Sequence, residues 1–393
     1  MKVAIITNTC YEEIIPLAKY LSDTIEISLF ATISKSGSGK QLLFEKDDLW
    51  INEKPGLILD VNKKHYLAIE FNKYIGSKFN LHAIYLKSLA YFHPKNFKII
   101  KSFISYIKKE NYDAIHFNIN SLLTFYIKIF IPSLPIIVTI HDPVPHIGEG
   151  GSLTSLVNRL TNNIKNATYI LHSRHSLALF NNIVRKRVNS VMIPFGNHEW
   201  LNEYKNQDIL PNYGSILFIG RISKYKGIDV LLESFHEIKE QIPEAHLIIA
   251  GSGDYWFDYT KYIQSESVEI INRYIRNEEI VQLILKAHIV VLPYTEATQS
   301  GVVSTVFTFC KPIVATKTGG IPEVVRDGVT GLLVEPNDRK SLAAAITKLI
   351  QSRILYDTIR KHICNIYDEG ELSWTEISLK TVKVYLDAIG RKK

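Results

Sequence analysis

Two doubly wound α/β domains in tandem are predicted by three features of the chain. Apolar runs of strand length recur along it and alternate with segments of helical spacing, the pattern of parallel sheets covered by helices. Those runs end in small or polar residues, at the sheet edge where open α/β folds bind ligands. Periodicity lapses over 202–213, a stretch with Asn, Asp, Pro and Gly, and a fresh strand–helix series then begins. The chain accordingly divides into a first domain over 1–198, a second over 199–370 and a terminal helical segment over 371–393.

The elements follow in order. Val3–Thr7 is strand one, too short an apolar run for a signal peptide; Asn8–Glu13 forms the loop and Ile14–Leu21 the helix. No Gly-x-Gly-x-x-Gly follows that strand, which disfavours a nicotinamide or flavin dinucleotide. Thr24–Phe30 and Leu57–Val61 are β-rich pieces among Lys- and Asn-rich segments. Ser34–Lys40 is a flexible loop by composition and lacks Walker A spacing. Phe97–Lys109 is an amphipathic helix with Lys98, Lys101, Lys108 and Lys109 outward, a solvated face or one that lies on acidic lipid. Tyr112–Asn118 is a strand leading into Asn118, Asn120 and Ser121. The apolar window Ser121–Ile140 contains Lys128, Pro132 and Pro135, and so divides into a helix, a turn and a strand rather than a membrane span. Its last strand, Ile136–Ile140, opens into His141–Gly151, a loop with two His, two acids, three Gly and two Pro. Leu153–Lys165 reads as helix, Ala167–Leu171 and Ser190–Ile193 as strands.

The second half repeats the pattern. Strands are expected over Ser215–Ile219, His246–Ala250, Val268–Ile271, His288–Leu292, Ile313–Thr316 and Gly331–Val334. Helices are expected over Ile228–Glu240, Asn277–Ala287 with Asn277 as N-cap, Val302–Cys310, Arg339–Ser352 and Trp374–Ile389.

Composition narrows the class. The chain has 393 residues, 46% of them hydrophobic and 22% charged, ordinary for a globular protein of two to three domains. Its net charge of +7 is uneven: residues 1–195 hold 23 Lys+Arg against 14 Asp+Glu, and residues 196–393 hold 23 against 25. A basic first half suits an anionic acceptor or membrane surface, or is simply a solvated face. Cys10, Cys310 and Cys364 are far apart in sequence, with no Cys-x-x-Cys and no Cys/His cluster, so neither a disulfide framework nor a zinc site is expected and a reducing cytoplasm fits.

Two loops carry the chemistry. Gly220–Gly227 joins a strand to a helix, and Arg221 and Lys226 can converge on a diphosphate, Arg through its fork and Lys as a point charge. Pro293–Gly301 does the same after the next buried strand. There Gln299, Ser300 and Gly301 can offer helix N-terminal N–H groups to a phosphate, and Glu296 can accept sugar hydroxyls. The ordinary alternative is an N-cap by Ser300. In the first half His141, at a strand end, is either a binding group or a loop-capping one.

With their neighbours these segments resemble the retaining glycosyltransferases of family four (glycosyl transferases group 1), which have the GT-B fold. The resemblance is carried by Phe218-Ile219-Gly220-Arg221 with Lys226-Gly227, Ala250-Gly251-Ser252-Gly253, Pro293-Tyr294 through Ser300-Gly301, Lys311–Thr316, Gly319–Val325 and Gly328–Val334. Ile193-Pro194-Phe195-Gly196 resembles the segment that ends the family's first domain; matching is dense over 190–350 and thin before 135. It implies two Rossmann-like domains facing a cleft, the first binding acceptor and the second nucleotide-sugar, with the terminal helix returning to the first. Gly220, Arg221, Lys226 and Gly251 would hold the diphosphate; Glu296, Gln299, Ser300 and Gly301 the phosphate and sugar; Arg273, Tyr274 and Ile275 the nucleobase. His141 resembles the first-domain histidine near the transferred sugar, and Asn118, Asn120, Asp142 and His146 complete the acceptor side. The catalytic set so implied is His141, Arg221, Lys226 and Glu296. The donor is a nucleoside diphosphate sugar, with no cofactor and no metal expected. The acceptor would be a glycan or lipid-linked glycan of bacterial polysaccharide or glycolipid synthesis, met in the cytoplasm or at the inner face of an anionic plasma membrane; no nucleic acid partner is expected.

The chain departs from that pattern. The family commonly carries two Glu eight positions apart, and alignment on Gly301 puts Thr298 and Val306 there. Val306 cannot bind a ribose, whereas Glu296 can stand in for the first. The family's Gly-rich first loop is replaced by Asn8–Glu13. A non-catalytic GT-B partner subunit and a nucleotide-sugar 2-epimerase therefore stay open as alternatives.

Overall fold

The structure is a computed structural model that describes residues 1–34, 54–61, 74, 78–88, 93–119, 121–144, 158, 160–184, 188–205, 209–263, 265–297 and 300–391. Two compact units divide the chain, Met1–Phe195 with Trp374–Lys393, and Gly196–Ser373.

In the first unit β1 (Lys2–Thr7), β2 (Glu26–Ser34), β3 (Gly56–Ile58), β4 (Asn80–Leu86), β5 (Ala114–Phe117), β6 (Ile136–Thr139), β7 (Thr168–Leu171) and β8 (Asn189–Met192) form one sheet in the order β3-β4-β2-β1-β5-β6-β7-β8. Every pairing is parallel except β3 with β4. The central strand β1 shows why the sequence folds so. Val3 and Ile5 point into a core shared with α1 (Tyr11–Leu21), whereas Ala4 and Ile6 point into a core shared with α2 (Phe97–Lys109) and α3 (Leu123–Phe130). Period-two alternation with both faces buried makes the run continuously apolar. The four lysines of α2 named above are exposed, while Ile99, Ile100, Phe103, Ile104 and Ile107 are buried. The sheet is completed by α4 (Arg174–Ile183), capped by Ser173 accepting from the Ser176 N–H.

The second unit has β9 (Ser215–Ile219), β10 (His246–Gly251), β11 (Val268–Asn272), β12 (Ile289–Leu292), β13 (Ile313–Thr316) and β14 (Gly331–Val334), all parallel, in the order β11-β10-β9-β12-β13-β14. Its helices are α5 (Ile228–Gln241), α6 (Thr260–Ile263), α7 (Asn277–Lys286), α8 (Gly301–Phe307), α9 (Ile321–Val324), α10 (Arg339–Gln351) and α11 (Arg353–Asp368). The last helix, α12 (Trp374–Gly390), lies on α1 of the first unit, with Trp374, Ile377, Val384 and Tyr385 buried in that core. No helix among the described residues is long and apolar enough to cross a membrane.

Several expectations are corrected. Strand β4 was not anticipated, because Asn80–Leu86 sits in a region broken by Lys and Asn. The N-cap of α7 is Arg276, without a side-chain cap bond, and Asn277 is the first helical residue. Cys310 and Cys364 form a disulfide, Cα–Cα 5.3 Å across 54 residues; separation in sequence did not translate into separation in space, because α11 folds back beside the end of α8. The expected loop at Ser34–Lys40 falls outside the described residues beyond Ser34, as does the Leu153–Lys165 helix before Asn158.

One polar bridge ties α12 to the sheet. The buried His116 on β5 meets the Tyr385 hydroxyl through Nδ1 and Thr139 Oγ1 through Nε2, each at 2.8 Å. Burial pushes this histidine down to about 3, so it is neutral and both contacts are needed to satisfy it. Tyr385→Phe is therefore expected to cost about 1–3 kcal/mol in urea unfolding. Leu386→Ser, on the exposed side of the same helix, should stay within about 0.5 kcal/mol; equal losses would assign the effect to the helix rather than to the bond.

Candidate active site

Strand order picks out one place in each sheet. In the first it is the carboxyl end of β1 and β5, where connections leave in opposite directions; in the second it is the carboxyl end of β9 and β12. Such switch points open a crevice between diverging loops.

At the second-unit switch point β9 ends at Ile219, Gly220 follows, and a 3-10 turn over Lys224–Lys226 precedes Gly227 and α5. Gly227 has φ 64°, and a Cβ there would stand 1.9 Å from the Pro293 carbonyl oxygen. A Cβ on Gly251 would stand 1.7 Å from the Gly220 carbonyl oxygen. Both approaches are backbone on backbone, so only glycine fits. The Thr295 N–H donates to the Tyr225 carbonyl at 2.8 Å, fastening the β12 loop to the β9 loop. Lys226 is thereby drawn in to 9% exposure, with Nζ 3.8 Å from the Tyr294 ring centroid and 4.7 Å from that of Tyr225. A cation held over two ring faces is attracted by their quadrupoles, more strongly where water is excluded.

The remaining predicted donor residues are arranged differently from one another. Arg221 and Glu296 are exposed. Ser300 precedes α8 without capping it by its side chain, and its hydroxyl is 3.2 Å from that of Tyr294. Gly301 starts α8, and Gln299 falls outside the described residues. Val306, at the position of the expected ribose-binding Glu, is fully buried. Arg273 grips Glu279 with both terminal nitrogens, at 2.5 and 2.8 Å, and its N–H donates to the Gly251 carbonyl. Tyr274 is exposed and Ile275 buried.

At the first-unit switch point Asn118 is 3% exposed, and its carbonyl accepts from His141 Nε2 at 2.8 Å. His141 Nδ1 is 3.2 Å from Glu13 Oε2 on the first turn of α1. Cys10, in a left-handed conformation at φ 55°, lies beside them; Cys10, Glu13 and His141 each bring a donor atom to within 4.8 Å of the other two. A cluster was not foreseen, because its members are 3 and 128 residues apart and meet only when β1 lies beside β5 and β5 beside β6. His172, after β7, donates from Nδ1 to the Ile193 carbonyl at 2.9 Å and stacks on Phe195 at 3.7 Å between ring centroids. Its burial pushes it well below the usual imidazole range. Glu13, His116, Asn118, Thr139 and His172 line a 20 Å³ cavity, room for one water. Asp142 is exposed, whereas Asn120 and His146 fall outside the described residues. The sequence reading missed Glu13, His172, Tyr225 and Tyr294. His172 ends a strand as His141 does, and that signal was open to it.

Comparisons with known proteins bear on the fold and on the sequence of the second unit. Residues 214–352 match the family model described as glycosyl transferases group 1. A glycosyltransferase of Methanocaldococcus jannaschii, MJ1607, is 29% identical over 188 residues, 45% of this chain and 46% of that protein. The chain spans about half the length of the curated relatives it matches, or less. Among solved structures, sucrose-phosphate synthase from Thermosynechococcus elongatus covers all of both chains at TM-score 0.67 and 17% identity. Anabaena HepE in complex with UDP-glucose covers 98% of this chain and 100% of its own at TM-score 0.66 and 17% identity.

Glycine at 227 is tested by substitution. Gly227→Ala combines a left-handed backbone with a clash on Pro293 and is expected to cost roughly 2–5 kcal/mol in chemical unfolding. Gly328→Ala has φ 70° but open space around it, and should cost only about 1–2 kcal/mol. Similar losses at both positions would show that backbone conformation alone, without the Pro293 contact, sets the cost.

Proposed function

Given that the second unit carries a domain of the glycosyl transferases group 1 family and that the chain has the GT-B fold, we propose that the protein is a retaining, metal-independent glycosyltransferase of family-four type. It moves a sugar from a nucleoside diphosphate sugar to a hydroxyl of a glycan or lipid-linked glycan. The observation that carries this reading is the Lys226 ammonium, sunk between Tyr225 and Tyr294 at the carboxyl ends of β9 and β12. The 199–370 domain would bind the donor and the 1–198 domain the acceptor, with the 371–393 helix on the first.

In the proposed mechanism the sugar–phosphate bond breaks as the acceptor oxygen bonds to the same face of the anomeric carbon. The departing phosphate takes the acceptor proton. Lys226 and Arg221 stabilise the charge that develops on the diphosphate, and they do so best where water is excluded. Gly220 and Gly251 let backbone approach the phosphates, Glu296, Gln299, Ser300 and Gly301 face the sugar and its phosphate, and the backbone of Arg273–Ile275 meets the base. His141, Asn118, Asn120, Asp142 and His146 would line the acceptor side. A cytoplasmic setting at an anionic membrane face is in keeping with the basic residues of 1–195.

The buried Val306 favours one second reading, a non-catalytic GT-B subunit that binds no nucleotide-sugar. Calorimetry of the wild type against UDP-, GDP- and ADP-sugars separates the two, since only a transferase gives a saturable donor isotherm. For the transferase, Lys226→Ala should remove about 2–4 kcal/mol of transition-state stabilisation, roughly 30–1,000-fold in kcat, with the fold intact by circular dichroism. Turnover near that of the wild type would sink the diphosphate role.

A further inference from the structure

The amino edge of the first sheet holds a cavity of its own. Where β6, β7 and β8 begin, a 440 Å³ space opens between them and the ends of α3 and α12. It lies one strand's length from the edge that carries His141: β6 runs from Ile136 in the cavity wall to Thr139, about 13 Å. Lys128 from α3, Lys165 from the turn before β7 and Arg391 just past α12 line the cavity. Among the described residues no Asp or Glu lines it, and none of the three cationic side chains is held in an ion pair.

Charge and shape both suit an anion. Lys128 and Arg391 stand at helix C-termini, which return about half a negative charge each, so about two of the three positive charges stay uncompensated. Ser133, Asn166 and Asn189 add neutral polar groups, and Pro132, Pro135 and Ile136 an apolar wall that focuses the field. The walls are fixed before any ligand arrives. The Ile115 N–H donates to the Pro135 carbonyl and the Leu134 N–H to that of Ile131, each at 3.0 Å. Asn166 takes a left-handed turn at φ 67°. The buried Tyr169 hydroxyl fastens the segment before it, accepting from the Ile164 N–H at 3.0 Å and donating to the Thr161 carbonyl at 2.6 Å. A phosphate dianion matches the excess charge, and the cavity has volume for an organic body beside it.

We propose that this cavity is a binding site for a phosphate-bearing ligand, at the sheet edge opposite His141. Lys128, Lys165 and Arg391 hold the phosphate, while Pro132, Pro135 and Ile136 carry its less polar body. The inference stands without the transferase reading, because neither the donor loops nor His141 takes part in it. Such a phosphate comes from a soluble metabolite or from a lipid headgroup. Ile129 and Phe130 follow Lys128 and are 68% and 45% exposed. Beside a headgroup they would enter the bilayer, whereas a soluble phosphate makes no use of them.

The test uses the full chain carrying Lys226→Ala, so that phosphate at the second unit's loops does not contribute. Inorganic phosphate is titrated by calorimetry, and vesicles of phosphatidylglycerol or of phosphatidylcholine are tested by co-sedimentation. One variant combines Lys128→Gln, Lys165→Gln and Arg391→Gln. A second combines Lys98→Gln, Lys101→Gln and Lys108→Gln on α2, removing the same charge elsewhere. The first should lose at least about tenfold in affinity for phosphate or phosphatidylglycerol vesicles, and the second should stay within about twofold. Each single cavity substitution should lose about threefold, which keeps the test decisive if the triple variant melts early. Phosphate binding without vesicle binding assigns a soluble ligand. Binding to phosphatidylglycerol but not phosphatidylcholine assigns a headgroup, and Ile129→Ser with Phe130→Ser should then weaken it. Binding of neither probe by the parent chain, or equal losses in the two triple variants, would overturn the proposal.

Discussion

The second unit depends on three close approaches between backbone segments at the carboxyl edge of its sheet. Gly227 lies against the Pro293 carbonyl, Gly251 against the Gly220 carbonyl, and the Thr295 N–H bonds to the Tyr225 carbonyl. The two glycine approaches leave no room for a side chain, and with the hydrogen bond they fix where the β9 and β12 loops can go. Lys226 is buried as a consequence, because the turn that ends in a left-handed Gly227 directs it between two aromatic rings. Thr316 reinforces the same place by donating to the Tyr294 carbonyl at 2.5 Å. A cationic site is thus made by backbone geometry, with electrostatics following from it.

The first unit uses burial of polar groups instead. His116 and His172 lie at or near the carboxyl edge of the sheet and are held neutral by loss of water, each pinned by a hydroxyl or a backbone carbonyl. The positive excess of residues 1–195 therefore does not come from these histidines. Part of it stands on the exposed face of α2, in Lys98, Lys101, Lys108 and Lys109. The floor of this edge is closed by α12, whose Tyr385 reaches His116 from the far end of the chain. A buried polar floor of this kind is costly to leave half satisfied, which makes the hydroxyl of Tyr385 part of the site's architecture.

Much of the fold was legible before any coordinates. Val3–Thr7 and Ser215–Ile219 read as buried parallel strands because both faces of the run are apolar, and both lie at the centre of their sheets. Phe97–Lys109 was legible to the residue, since its apolar positions recur at helical spacing and its lysines fill the other face. Asn80–Leu86 was not, because a seven-residue strand among polar segments carries no long-range signal. Of the site, the Gly220–Gly227 loop was legible as a strand–turn–helix with two glycines and three cations, Arg221, Lys224 and Lys226. Glu13 was passed over inside a loop noted only for what it lacked, and Tyr225 and Tyr294 read as ordinary aromatic residues.

What the sequence by itself determined is local: which runs are strands, which loops follow them, and which of those loops carry charge and glycine. Strand order belongs to the tertiary structure alone. Placing β1 beside β5 and β5 beside β6 brings Glu13, Asn118 and His141 together, and placing β9 beside β12 sets Gly227 on Pro293. It also joined Cys310 to Cys364. The reason is physical: periodicity records which face of an element is buried, but not which neighbour buries it. The meeting of Glu13 with His141, or of a cation with Tyr294, depends on that neighbour.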